Sequence, residues 1–222
     1  MATQTANYLD AIAHLPAGST LILADVPWDE YEQLLVELGD GSRVRVSYDR
    51  GRLEIMSPSL NHEMYKELLV SVVRMVAEET GLDLESRGST TFKQKHLAQG
   101  AEPDTCFYVH NAARIIGKDR IDLSVDPAPD VVVEIDVSHA STGKFLFYAA
   151  LGVPEIWRCE EGRAHIYHLT GQGYVGAPAS RAFPVLTGDA LSRLLEQSKT
   201  EGQSATLRSL REWLRSQRSG SA

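Results

Sequence analysis

Apolar residues recur along this chain at two periods, and the switches between them lay out most of its elements. In DEYEQLLVELG, Tyr31, Leu34, Leu35 and Leu38 stand at helical spacing and Gly39 ends the run, which predicts a peripheral amphipathic helix. A period of two follows. RVRVSY and RLEIMS flank Asp49-Arg50-Gly51, a turn with glycine where positive φ is needed, so this stretch predicts a β-hairpin. Ser57-Pro58 closes the hairpin. Met64, Leu68, Val72, Met75 and Val76 then predict the longest helix, over residues 60–80, with Gly81 as its stop. Residues 1–24 are weakly patterned and predict only a short helix near Tyr8–His14, while residues 83–93 read as extended.

Further on, Pro103 imposes an extended approach to a strand over Cys106–Val109. Residues 110–128 hold a short linker helix and the turn-prone Asp126-Pro127-Ala128-Pro129. Val131, Val132 and Val133 predict a strand buried on both faces, followed by a helical run starting at Lys144 and a strand over Glu155–Arg158. RAHIYHL (163–169) predicts a strand, Gly171–Gly173 a turn, and Tyr174–Val175 a further strand. Ala182-Phe183-Pro184 reads as a short edge segment, and ALSRLLEQS as a helix. Leu207, Leu210 and Leu214 predict a last amphipathic helix in SATLRSLREWLRSQ.

The chain has 222 residues, 43% hydrophobic and 23% charged, which fits one globular domain over 1–198 and excludes a disordered chain. Residues 199–222 differ. Their five basic residues (Lys199, Arg208, Arg211, Arg215, Arg218) against Glu201 and Glu212 give a net +3, leaving −11 of the total −8 on the body. The arginines fall at helical spacing, either as a phosphate-contacting stripe or as a solvated helix face. The acidic body argues against broad adhesion to nucleic acid, but a metal-dependent nuclease can be acidic because carboxylates build its site. Two cysteines, Cys106 and Cys159, cannot build a disulfide framework or a zinc site. No apolar run approaches membrane-spanning length, and the N-terminus lacks a basic region followed by an apolar core. The expectation is a cytoplasmic protein with no membrane partner.

Chemistry concentrates in PDVVVEIDVSHASTGKFLFYAALGVPEIWR, residues 129–158. Glu134 and Asp136 lie two apart in the valine-rich strand and so project from one face. Ionised carboxylates lose hydration in a buried strand, a cost that a divalent cation or a lysine offsets. Lys144 follows at the start of the helical run. Strand, helix and strand with carboxylates and a lysine near one strand end can hold a metal and a phosphate. Asp104, at the start of the preceding strand, adds a third acid, although alone it would read as an acid satisfying turn amides. Glu63 in the first turn of the 60–80 helix either complements the helix dipole or, with His62, reaches toward a metal site. His165 and His168 stand an odd number apart in a strand, on opposite faces, and are set aside as a metal pair.

The order Pro103-Asp104, Glu134-Ile135-Asp136, Lys144 resembles the PD-(D/E)XK nuclease superfamily, and more closely its branch of Uma-type restriction endonucleases. YDRGRLEIMSPS with His62-Glu63, STTFK (89–93), EPDTCFYV (102–109) and PDVVVEID…K…YAALGVPEIWR carry the likeness, over about residues 25–195. It implies an α+β fold with an α/β-like mixed sheet, a restriction-endonuclease-like core with flanking helices and an N-terminal β-hairpin. It also implies that Asp104 is the first metal-binding acid and Glu134 the acid of the (D/E)XK half. The lysine of that half should stand at position 136, where this chain has Asp136, and Lys144 matches the lysine that replaces it from the following helix. Asp136 is then a further metal ligand or a partner for Lys144.

The expected activity is Mg²⁺- or Mn²⁺-dependent hydrolysis of DNA phosphodiester bonds. Asp104, Glu134 and Lys144 would be catalytic, Asp104, Glu134 and Asp136 would hold the metal, and Asp136, His62 and Glu63 would be accessory. A homodimer would suit cutting of both strands. The alternatives are a buried salt-bridge network of Glu134 or Asp136 with Lys144 or Arg158, and a non-catalytic nuclease-fold module that binds DNA or protein.

Overall fold

A computed structural model describes residues 4–39, 41–136 and 141–219. Residues 137–140, in the middle of the chemically dense stretch, and 220–222, at the end of the basic tail, lie outside it. The elements run α1 (Gln4–Ala13), β1 (Thr20–Leu23), α2 (Trp28–Leu38), β2 (Arg45–Asp49), β3 (Arg52–Met56), α3 (Leu60–Thr80), β4 (Glu85–Ser86), β5 (Phe92–Gln94), β6 (Gln99–Ala101) and β7 (Thr105–Tyr108). They continue with α4 (Ala112–Ile115), β8 (Val131–Asp136), α5 (Phe145–Ala150), β9 (Glu155–Glu160), β10 (Arg163–Thr170), β11 (Gly173–Ala177), α6 (Gly188–Glu201) and α7 (Gln203–Ser219).

The strands form two sheets. The larger is mixed, in the order β11-β10-β9-β8-β7-β4, with β8 and β9 parallel and its other pairs antiparallel. Alternate residues of its central strands enter different cores, as the two-faced burial of the valine run requires. Phe107, Val131, Val133 and Trp157 pack against α3, α6 and α7, whereas Cys106, Tyr108, Val132 and Ile156 pack against α4 and α5. Glu134 shares the face of Val132, so it points toward α5.

The predicted hairpin belongs to a second sheet, β1-β3-β2-β6-β5, wholly antiparallel. It has its own core with α1 and α2, where Tyr31 stacks on Tyr48 at 4.8 Å. The extended stretch 83–93 is divided, β4 joining one sheet and β5 the other. The weakly patterned N-terminus yields β1, a partly buried edge strand too short to show an alternation.

One segment differs from expectation. Ala182-Phe183-Pro184 is not an edge strand. Pro184 has no N–H to offer a ladder, and the Ser180 hydroxyl accepts from Phe183 N at 2.9 Å, folding a turn that buries the Phe183 ring. The basic tail packs on the body through its apolar face. Lys199 lies within α6, and Leu210 and Leu214 of α7 are buried in the core over α3. Arg215 forks onto Glu79 of α3, its Nη2 2.9 Å and its Nε 3.1 Å from Oε1, and Arg211 joins the same carboxylate at 3.4 Å.

Candidate active site

The site forms where β7 and β8 separate. Pro103 cannot donate to the ladder, so pairing stops at Thr105 and Val133. Asp104 bridges the gap: its amide donates to Val133 O at 3.1 Å, and its Oδ2 accepts from Ile135 N at 2.6 Å. That fixes one carboxylate oxygen and turns Oδ1 toward α3. There Ser59 caps the helix, its hydroxyl accepting from His62 N at 3.2 Å, and the cap sends the His62 ring inward. His62 and Asp104 are each 2% exposed, and Nε2 lies 2.8 Å from Oδ1.

Glu134, 1% exposed, is held from α5. Tyr148 donates to its Oε1 at 2.5 Å, and Lys144 Nζ donates to its Oε2 at 2.8 Å. Lys144 also lies 3.5 Å from the carbonyl oxygen of Glu102. Glu102 is clamped in turn, accepting from Thr91 Oγ1 at 2.6 Å and Val46 N at 2.9 Å, which ties the second sheet to the start of β7.

These contacts split the two acids electrostatically. Burial pushes the Glu134 carboxyl up to about 7; Asp104 adds to that rise, while Lys144 and Tyr148 oppose it. Burial also acts to raise Asp104, but His62, Lys144 and the Ile135 amide outweigh it and hold its carboxyl below the ordinary range. Lys144 is disfavoured by burial yet raised overall, because Glu134, Asp104 and Glu54 surround it with negative charge.

Asp104, Glu134, Lys144 and His62 are therefore brought together. Glu63 stands one step back, its Oε1 3.5 Å from His62 Nδ1 and 3.7 Å from Arg45 Nη2, with its Oε2 paired to Lys66. Asp136 does not partner Lys144. Arg158, opposite Glu134 in the parallel register, reaches forward to Asp136 at 2.5 Å and holds Glu160 at 2.7 Å.

Two members escaped sequence reading. Tyr148 follows Lys144 by four residues on one helical face, a spacing that could have revealed it. Arg45 carried no signal, because hairpin alternation puts it on the polar face. It is nevertheless buried, with Nε 4.0 Å from Asp104 Oδ1.

Among the described residues, no three His, Cys, Asp or Glu side chains stand together as a ready-made metal cage. A hard divalent cation needs fewer, since it takes one or two protein carboxylates and completes its shell with water and phosphate. Asp104 Oδ1, both ring nitrogens of His62 and Arg45 Nε are buried without an aligned hydrogen bond among the described residues. An acceptor oxygen left so is what a bound cation would satisfy. The donor set fits one.

The family described as "Uma2: Putative restriction endonuclease" matches residues 28–198. This chain belongs to the Uma2 family. The matched span holds every residue of the site described above and ends before α7. A solved structure described as "a putative nuclease belonging to DUF820", from Anabaena variabilis, is similar with a TM-score of 0.52. The match covers 77% of this chain and 99% of that one at 18% identity, which establishes a shared fold. No curated protein matches significantly.

Proposed function

We propose that this chain is a metal-dependent endonuclease that hydrolyses DNA phosphodiester bonds in restriction-endonuclease-like fashion. The observation that carries the reading is the meeting of buried Asp104 and Glu134 with the partly buried Lys144 at the splayed strand ends, with Asp104 Oδ1 lacking an aligned donor. The description of the Uma2 family and of its solved relative supports the same class.

Asp104 and Glu134 would hold Mg²⁺ or Mn²⁺, which when bound neutralises phosphate oxygens and makes water a better nucleophile. Asp104 keeps one oxygen on Ile135 N and presents the other. Tyr148 orients Glu134 so that Oε2 faces the Lys144 ammonium. Lys144 would stabilise the charge that develops on the phosphoryl oxygens or orient the water. Asp136, held by Arg158, would serve the site as a second-row acid. DNA is the substrate in this reading, in the cytoplasm, and a two-fold dimer would allow both strands to be cut.

A second reading is a non-catalytic nuclease-fold module. Its support is that both oxygens of Glu134 are already engaged, as in a self-contained buried ion pair. Nicking of supercoiled plasmid in Mg²⁺ or Mn²⁺ separates the two. Cleavage is expected, and is expected to vanish in Asp104→Asn and Glu134→Gln proteins that remain folded. Absence of both cleavage and metal binding in the wild type would leave the module.

A further inference from the structure

We infer that His62 is a metal ligand and that its imidazole tilts the site toward Mn²⁺ or Co²⁺ over Mg²⁺. This rests on the metal-dependent reading above and assigns the site a nitrogen donor beside the Asp104 carboxylate.

A buried imidazole needs partners for both nitrogens. His62 has none that is aligned among the described residues, although Asp104 Oδ1 lies only 2.8 Å from Nε2. Were this a simple buried ion pair, the ring N–H should point at the oxygen, and it does not. The separation suits another arrangement. Two ligands at right angles around a cation, each about 2.1 Å from it, stand about 3 Å apart. His62 Nε2 and Oδ1 of Asp104 are spaced as such a pair, both inside the protein and both fixed at their roots. Ser59 caps the helix that carries the histidine, and Ile135 N holds the other oxygen of the aspartate.

The far side of the ring supports the same assignment. A metal-bound histidine commonly gives its other N–H to a carboxylate, which sets the tautomer and the ring plane. Glu63 Oε1 stands 3.5 Å from Nδ1, and Arg45 and Lys66 limit where that carboxylate can go. Neighbouring residues in one helical turn would thus supply ligand and orienting acid. Imidazole favours borderline transition metals, whereas an all-oxygen site suits Mg²⁺.

The test uses the full chain and Mn²⁺ alone, read by pulsed electron paramagnetic resonance and by calorimetry, with no DNA present. The wild type should show nitrogen modulation on bound Mn²⁺, and His62→Gln should lose it. Mn²⁺ affinity should fall about tenfold or more in His62→Gln, while Mg²⁺ affinity should change by less than about threefold. Glu63→Gln should keep the modulation and weaken Mn²⁺ binding. Mn²⁺ that binds in an Asp104-dependent way without nitrogen modulation would overturn the inference and leave the metal-dependent reading intact. A wild type that binds neither ion would overturn both. The wild-type spectrum decides even if a variant fails to fold.

Discussion

Lys144 Nζ stands 2.8 Å from Oε2 of Glu134, so a positive charge reaches the end of β8 from the start of α5. Arg158 holds Asp136, two residues further along the same strand, at 2.5 Å. The two charge pairs lie side by side on one strand, and they predict different consequences when broken.

Lys144→Met keeps most of the apolar stem and removes the ammonium. With metal bound, the protein should fold and retain its ion through Asp104 and Glu134. Plasmid cleavage should fall by about two orders of magnitude or more, as for loss of a charge-stabilising donor. Equal cleavage by variant and wild type would make the lysine structural. Asp136→Asn should lower thermal stability, because it leaves the half-buried Arg158 short of one counter-charge, and should affect cleavage far less.

Glu134 gives a pH signature in chelator-treated protein. Its folded carboxyl titrates near 7 against an ordinary value of 4.5, so the folded state binds more protons between those limits. Stability contributed by the protonated acid is full below pH 4.5 and is lost as pH rises through about 7. The melting temperature of the wild type in chelator should therefore fall across this window. In Glu134→Gln that component should disappear. A wild-type profile with the opposite slope, matched by the variant, would contradict the assignment.

Gly100 tests the second sheet. A Cβ there would overlap the Tyr31 hydroxyl and stand 2.9 Å from Tyr31 Cζ, in a fully buried ring already stacked on Tyr48. Gly100→Ala should cost about 1–3 kcal/mol, read as a lowered melting temperature. The smaller Tyr31→Phe, combined with it, should recover part of the loss.

The arginines of α7 also separate by role. Deleting residues 199–222 would strip Leu210 and Leu214 from the core, so it cannot report on DNA alone. Arg208 is exposed, and Arg208→Ala leaves that core in place. If it is a solvated residue, the salt dependence of DNA binding should be unchanged; loss of about one unit of salt slope would show a phosphate contact. Arg215→Ala should instead destabilise the fold, because Glu79, 8% exposed, loses its bidentate partner.

Local pattern carried a good part of this molecule. The period of two in RVRVSY and RLEIMS and the helical spacing of residues 60–80 are satisfied by near-neighbour geometry, so they were legible without a fold. The acids and the lysine were legible too, because charges set among valines need a reason. Partnership was not. Whether Lys144 would take Glu134 or Asp136 depended on α5 covering the Val132 face and on Arg158 lying beside Glu134 in register, both long-range facts. Arg45 is buried between Glu63 of α3 and Asp104, residues distant in sequence, which no alternation encodes. Nor could spacing show that Ser59 aims His62 at Asp104, since the two are joined only when α3 crosses the point where β7 leaves β8. Periodicity reports which face a residue shares, whereas a site requires faces from distant segments to meet, and that meeting is set by the packing of whole elements.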